Sequence, residues 1–238
     1  MAMLAIDVLC YMKLRLALFN KNKSFFKTLL VIYSLSFLIL TGVGLQKKVN
    51  VFYLVGDPAT ITGQKFYLGA LSNLGILGWC ISAGICFFCA ALIKYRPYER
   101  ETYSFFLGSG LISAVFLFDD LFLIHEKIFP DYLLIPQKLL LLAYGLSMIL
   151  FFWKFRRKVI NRNLLLITLA FAFFALSVSL DMRFIPLPES IAESSLRSLM
   201  ENGSKFLGIV SWSLYFVSVG FQSISTMLSE NNRYSNLG

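Results

Sequence analysis

Apolar residues along this chain gather into six windows, each long enough at about 1.5 Å per residue to cross most or all of roughly 30 Å of hydrocarbon. They run from Thr28 to Leu45, Phe66 to Ile93, Thr102 to Glu126, Ile135 to Phe155, Leu164 to Asp181 and Met200 to Leu228. The connections are short, and no Ser/Gly linker or charge run divides the chain. The pattern therefore predicts one all-α domain, a polytopic membrane helix bundle with six transmembrane helices over residues 28–228 and a flexible cytoplasmic tail over 229–238. Residues 1–20 are also apolar, but they carry Asp7, Lys13 and Arg15, and the positive charges follow the apolar stretch, the reverse of a signal peptide. An interfacial amphipathic helix within residues 1–27 is predicted there, with a seventh span as the alternative.

Composition identifies the solvent. Hydrophobic residues make up 58% of the chain and charged ones 15%, more apolar surface than water tolerates, so the helices face lipid. The formal charge of +9 does not indicate nucleic acid, because Lys and Arg sit in short runs between apolar windows. There they read as topology determinants and contacts to anionic lipid. Fourteen of the 22 Lys and Arg fall on one side: Lys13, Arg15, Lys21, Lys23 and Lys27, then Lys94, Arg96 and Arg100, then Lys154, Arg156, Arg157, Lys158 and Arg162, and finally Arg233. The excess recurs at alternate loops and predicts that both termini are cytoplasmic.

Cys10, Cys80, Cys86 and Cys89 all lie in apolar stretches, which argues against a disulfide framework. Cys86 and Cys89 have half the spacing of a metal or redox motif without a second pair, and read as small packing residues. Ser82 with Cys86, Cys86 with Ala90, and Gly110 with Ala114 have the spacing that lets membrane helices approach closely.

The chemistry lies in the acidic residues that fall inside windows. The third window ends in Asp119, Asp120, His125 and Glu126, the fifth ends in Asp181, and the sixth begins with Glu201, Ser204 and Lys205. Alternation of direction brings all of these to one end of the bundle, the non-cytoplasmic one. Asp119 lies about 25 Å along its helix from Thr102, inside the acyl region. On a continuous helix Asp119 and Glu126 share one face, while Asp120 and His125 project to either side and do not meet them. Glu201 and Lys205 have the spacing of an ion pair within one helix. His125, Glu126 and Lys127 are near enough to the interface to reach headgroups, whereas Asp119 and Asp181 need a cation, a shared proton or a basic partner.

Oxygen ligands Asp119, Glu126, Asp181 and Glu201 suit Mg²⁺, Ca²⁺ or Mn²⁺, and Zn²⁺ if His125 joins. Metal-bound water would then be a nucleophile, with Asp119, Asp181 and Glu201 as catalytic candidates and Asp120, Ser204 and Lys205 in support. The leading expectation is a metal-dependent hydrolase embedded in the membrane and acting on a lipid or other amphiphile. A proton-coupled transporter and a non-catalytic subunit or assembly factor are the alternatives. A single histidine rules out bis-histidine haem and a two-histidine, one-carboxylate iron site within one chain.

Phe118 to Glu126 and Glu201 to Gly208, with Trp212 and Tyr215 beyond, resemble two signatures of a broad family of uncharacterised bacterial multipass proteins. In that family one helix ends in an acidic pair followed by His-Glu, and a later helix opens with acidic residues and a glycine. The resemblance implies a bacterial inner (plasma) membrane and brings no activity. The topology is distantly similar to that of alkaline ceramidase-like seven-span hydrolases, which hold zinc with three histidines; with His125 alone this chain cannot assemble that site.

Overall fold

A computed structural model of the chain describes residues 27, 30–56, 58–65, 67–94, 99–160, 163–184 and 195–235. The interfacial helix expected within residues 1–27 lies outside the described residues except for residue 27. The chain separates into two compact units that divide between Leu68 and Gly69.

The first unit contains α1 (Leu30–Leu45), α2 (Val51–Val55) and α3 (Pro58–Ile61). The Gln46 side chain ties off the turn after α1. Its Oε1 accepts from the Val49 N–H at 2.9 Å and its Nε2 donates to the Val49 carbonyl at 2.7 Å. Asn50 caps α2 by accepting from the Phe52 N–H at 3.0 Å, which satisfies a donor that the first helical turn leaves without a partner.

The second unit contains α4 (Ala70–Ile93), α5 (Arg100–Phe122), a π-helical segment (Ile124–Tyr132), α6 (Gln137–Lys154), α7 (Arg156–Ile160), α8 (Leu164–Asp181) and α9 (Ser195–Ser235). Among the described residues five helices are long and apolar enough to cross a membrane: α4, α5, α6, α8 and Ser195–Ser229 of α9. The first apolar window appears as the shorter α1. The fifth window matches α8 end to end, and α9 carries the helix on to Ser235, into the stretch expected as a tail. With Leu142, Ile149 and Leu150 more than 60% exposed, the second unit is an integral membrane bundle whose outer surface needs lipid.

Trp212 is the point where the five long helices meet. It is 0% exposed, and its ring contacts Trp79 of α4, Phe152 of α6, Phe171 and Phe174 of α8, and Phe216 of α9, with centroids 5.1–6.4 Å apart. Its indole N–H donates to Ser113 Oγ of α5 at 3.0 Å. Such edge-to-face aromatic pairs add about 0.5–1.5 kcal/mol each beyond simple burial. Buried hydroxyls brace the same core: the Ser82 and Ser213 oxygens lie 2.9 Å apart and each lies 2.9 Å from the Gly78 carbonyl, so one hydroxyl donates to the other and the second to the carbonyl. Cys86 and Cys89 are free and buried, as packing residues.

The helices do not share this core equally. Half of the α9 window is buried (50%), against 11% for α6. The α6 helix is held through large rings: Phe151 stacks on Phe105, Phe152 meets Phe171 edge-on, and Tyr144 meets Phe116. Rings of this size keep the α6 backbone away from its neighbours. Gly108 of α5 makes the Phe151 contact possible, because a Cβ there would lie 2.4 Å from Phe151 Cε2. Phe151 is itself hemmed by Phe105, Phe152 and Phe155. Gly108→Ala is therefore expected to cost about 1–3 kcal/mol despite its better helix propensity, read as a lower Tm of the purified protein in detergent; an unchanged or higher Tm would contradict this packing.

Candidate functional site

The site grows from the end of α5. The expected helix over Thr102 to Glu126 stops at Phe122, because Leu123 turns into the left-handed region at φ 52°. The chain then winds as a π-helix, the Ile128 N–H reaching the Leu123 carbonyl at 3.3 Å. This reverses the expected geometry: Asp119 and Glu126 no longer share a helix face, and His125 folds back onto Asp119. The His125 backbone N–H donates to Asp119 Oδ1 at 2.9 Å and the ring Nδ1 lies 2.5 Å from Oδ2. The Tyr144 hydroxyl of α6 donates to Oδ1 at 3.1 Å. Asp119 is 2% exposed, and three hydrogen bonds to a charged acceptor, about 1.5–3 kcal/mol each, outweigh the roughly 1–3 kcal/mol of one leucine in the left-handed region.

Asp120 points to a different set. Lys205 Nζ of α9 sits 2.6 Å from its Oδ1 and the Trp79 indole N–H of α4 donates to Oδ2 at 2.9 Å. The ion pair expected within α9 between Glu201 and Lys205 is thus replaced by one between helices. Asp181 accepts from Gln137 Nε2 of α6 at 3.0 Å. Glu126 Oε1 is 3.6 Å from His125 Nε2, outside hydrogen-bond range. Glu201 feels the charges of both Asp181 and Arg197.

These groups border one cavity of about 320 Å³. Its polar end carries Asp119, Asp120, His125, Glu126, Tyr144, Asp181, Glu201, Asn202 and Lys205, while Phe116, Leu141, Met148, Ile149, Phe171 and Phe174 wall the rest. Of the residues singled out in the sequence, Ser204 alone does not line it; its hydroxyl donates to the Met200 carbonyl one turn back at 2.6 Å. Trp79, Gln137 and Tyr144 were not legible as site residues. Each is an ordinary member of an apolar helix, and only packing shows that its polar atom meets a carboxylate.

The donors do not gather as a metal site. Among the described residues no three of the His, Cys, Asp and Glu side chains form a group able to hold an ion. The five expected ligands Asp119, His125, Glu126, Asp181 and Glu201 therefore line the cavity without converging. Asp119 is occupied by His125 and Tyr144, Asp120 by Lys205 and Trp79, and Asp181 by Gln137.

Electrostatics at His125 oppose one another. Burial favours the neutral imidazole, but the hydrogen bond and the charge of Asp119, aided by Glu126 and opposed by Lys205, raise its pKa above the ordinary value. Asp119 on Nδ1 fixes the ring orientation and leaves Nε2 turned away from it.

A family model described as Domain of unknown function (DUF8692) matches residues 24–219, which include α1 to α8 and most of α9. No curated protein and no solved structure matches the chain.

Two outcomes follow from this geometry. His125 is the only histidine, so its ring gives a single NMR titration, expected with a midpoint above about 6.5. In Asp119→Asn the midpoint should fall below that value, because burial then acts without its counterweight. The pair stabilises the fold fully below about pH 6.5, and that contribution is lost as pH rises through the raised folded-state pKa; a midpoint unmoved by Asp119→Asn would refute the pairing. Lys205→Met strands Asp120 and should cost on the order of 3 kcal/mol, the low end for a broken buried pair because Lys205 is about one-third exposed. Adding Asp120→Asn should recover more than half of the lost Tm.

Proposed function

The chain belongs to the DUF8692 family of unknown function, and from its cavity we propose that it is a membrane-embedded hydrolase acting on an amphiphile. The observation that carries this reading is the Asp119–His125 pair at the polar end of a cavity whose other walls are apolar. Such a cavity suits a headgroup at one end and a hydrocarbon tail at the other. With Nδ1 committed to Asp119, the neutral ring has its lone pair on Nε2, where it acts as a general base.

In the reaction, water attacks the carbonyl or phosphoryl centre of a headgroup ester, and Nε2 takes the proton that the water gives up. The bond from that centre to the leaving oxygen breaks, and the proton passes from Nε2 to that oxygen, so an acid and an alcohol leave. Asp119 steadies the imidazolium formed in between. Lys205 has two further N–H groups beyond the one on Asp120, and these support the negative charge that develops on the reacting centre. The excess of Lys and Arg at alternate loops supports a topology with both termini cytoplasmic and this end of the bundle in the non-cytoplasmic leaflet, where lipid or another amphiphile would be the substrate.

The test is hydrolysis of a panel of single-chain and two-chain carboxylic and phosphoric esters by the purified protein in nanodiscs, with and without Mg²⁺ or Zn²⁺. Wild-type protein is expected to turn over at least one class. His125→Gln and Asp119→Asn should each lower kcat by about 10²- to 10⁴-fold, and the wild-type rate should rise with pH as His125 loses its proton. No turnover above empty nanodiscs in any condition, or an undiminished rate in His125→Gln, would sink the proposal.

A further inference from the structure

The cavity has a side opening, and a glycine keeps it clear. Two side-chain ties hold α6 to α8: Gln137 Nε2 on Asp181 Oδ2 at 3.0 Å near one end, and Phe152 against Phe171 at 5.1 Å deeper in the bundle. Fifteen residues of α6 and ten of α8 separate the ties, a slot of roughly 15–22 Å at about 1.5 Å per residue. Gly145 and Ile149 of α6 and Ala175 and Val178 of α8 lie within that slot, and all four both line the cavity and are exposed. Residues with both properties mark where the cavity opens to the surroundings, which for these helices is the hydrocarbon of the bilayer.

Gly84 of α4 and Gly203 of α9 are as free of neighbours as Gly145, but of the three only Gly145 lines the cavity. Mid-helix glycine costs roughly 0.5–1 kcal/mol relative to alanine. The close approaches at Gly78, Gly108, Gly110 and Gly208, where a Cβ would come within 3 Å of a neighbouring side chain, offset that cost. At Gly145 no atom lies within 4 Å of an added Cβ, and the residue has no left-handed φ. Neither helix packing nor backbone conformation requires glycine there. What its missing side chain provides is free space along the cavity wall.

We infer that one hydrocarbon chain of the substrate enters sideways from the bilayer between α6 and α8 and lies along Gly145, with its headgroup at the Asp119–His125 end. The substrate is thus drawn from the membrane by a single tail. A cavity of about 320 Å³ is at the small end of ligand sites, about 300–1,000 Å³, and fits one chain, with any second chain left in the lipid. This path rests on the amphiphile reading above and does not depend on the chemistry that follows.

The probe is a single-chain ester carrying a photoactivatable diazirine midway along its tail, crosslinked to the full chain in nanodiscs, with adducts located by peptide mass spectrometry. Wild-type protein is expected to carry adducts at residues 141–149 of α6 and 174–178 of α8, above the lipid-facing background at Trp153 and Leu165. Gly145→Leu, and Ala175→Leu from the facing helix, should reduce the cavity adducts at least 10-fold while the background labelling and the Tm hold, because no atom lies within 4 Å of a Cβ at Gly145 and Ala175 is an exposed residue of the cavity wall. Cavity adducts that persist in both variants, or wild-type labelling confined to the background, would overturn the tail path. Crosslinking needs no turnover, so cavity labelling of a protein that hydrolyses nothing would retire the enzymatic reading and leave the tail path standing.

Discussion

A carboxylate held away from water inside a membrane bundle has to be given hydrogen-bond donors by the protein, and Asp119 imposes that requirement on everything around it. Its neighbours on α5 are Phe118, whose ring faces outward, and Asp120, which is committed to α4 and α9. A continuing α-helix would have carried the nearest donors away at 100° per residue. The chain instead breaks at Leu123 and returns both the amide and the ring of His125 to the carboxylate. The left-handed leucine, the π-helical winding and the approach of Tyr144 from α6 all follow from satisfying one buried charge.

The adjacent aspartate organises the opposite side. With Trp79 on one oxygen and Lys205 on the other, Asp120 links α4, α5 and α9 through one side chain. Beneath it, Trp212 gathers rings from four helices and a hydroxyl from the fifth. The result is a well-packed group of α4, α5, α8 and α9, beside which α6 stands at a distance set by its aromatic side chains. A helix held by rings leaves space where no ring is present, and the cavity occupies that space.

The acid–imidazole pair and the open side of the cavity thus share one cause. Tyr144 both binds Asp119 and braces α6 against Phe116, so the helix that completes the polar end is also the one that opens the apolar side. A buried acid–imidazole pair at one end of an apolar cavity is the feature on which the proposed hydrolysis rests, since such a site would keep a reacting group dry and let a tail remain in hydrocarbon.

The sequence by itself determined that the chain is helical and membrane-embedded, because runs of some 20 apolar residues have no other stable fate. The same alternation of spans brought the ends of α5 and α8 and the start of α9 together, so Asp119, Asp120, His125, Glu126, Asp181, Glu201 and Lys205 were all legible as neighbours of one cavity. Their pairing was not. Spacing along an ideal helix set Asp119 with Glu126 and Glu201 with Lys205, yet burial drew His125 to Asp119 and Lys205 to Asp120. Nothing local signals a left-handed Leu123, since the residue adopts it only to satisfy a carboxylate it cannot sense in sequence. Trp79, Gln137, Tyr144 and the empty space at Gly145 belong to tertiary structure alone. Each acquires its role from a helix distant in sequence, and periodicity reports which face a residue takes but not what stands opposite.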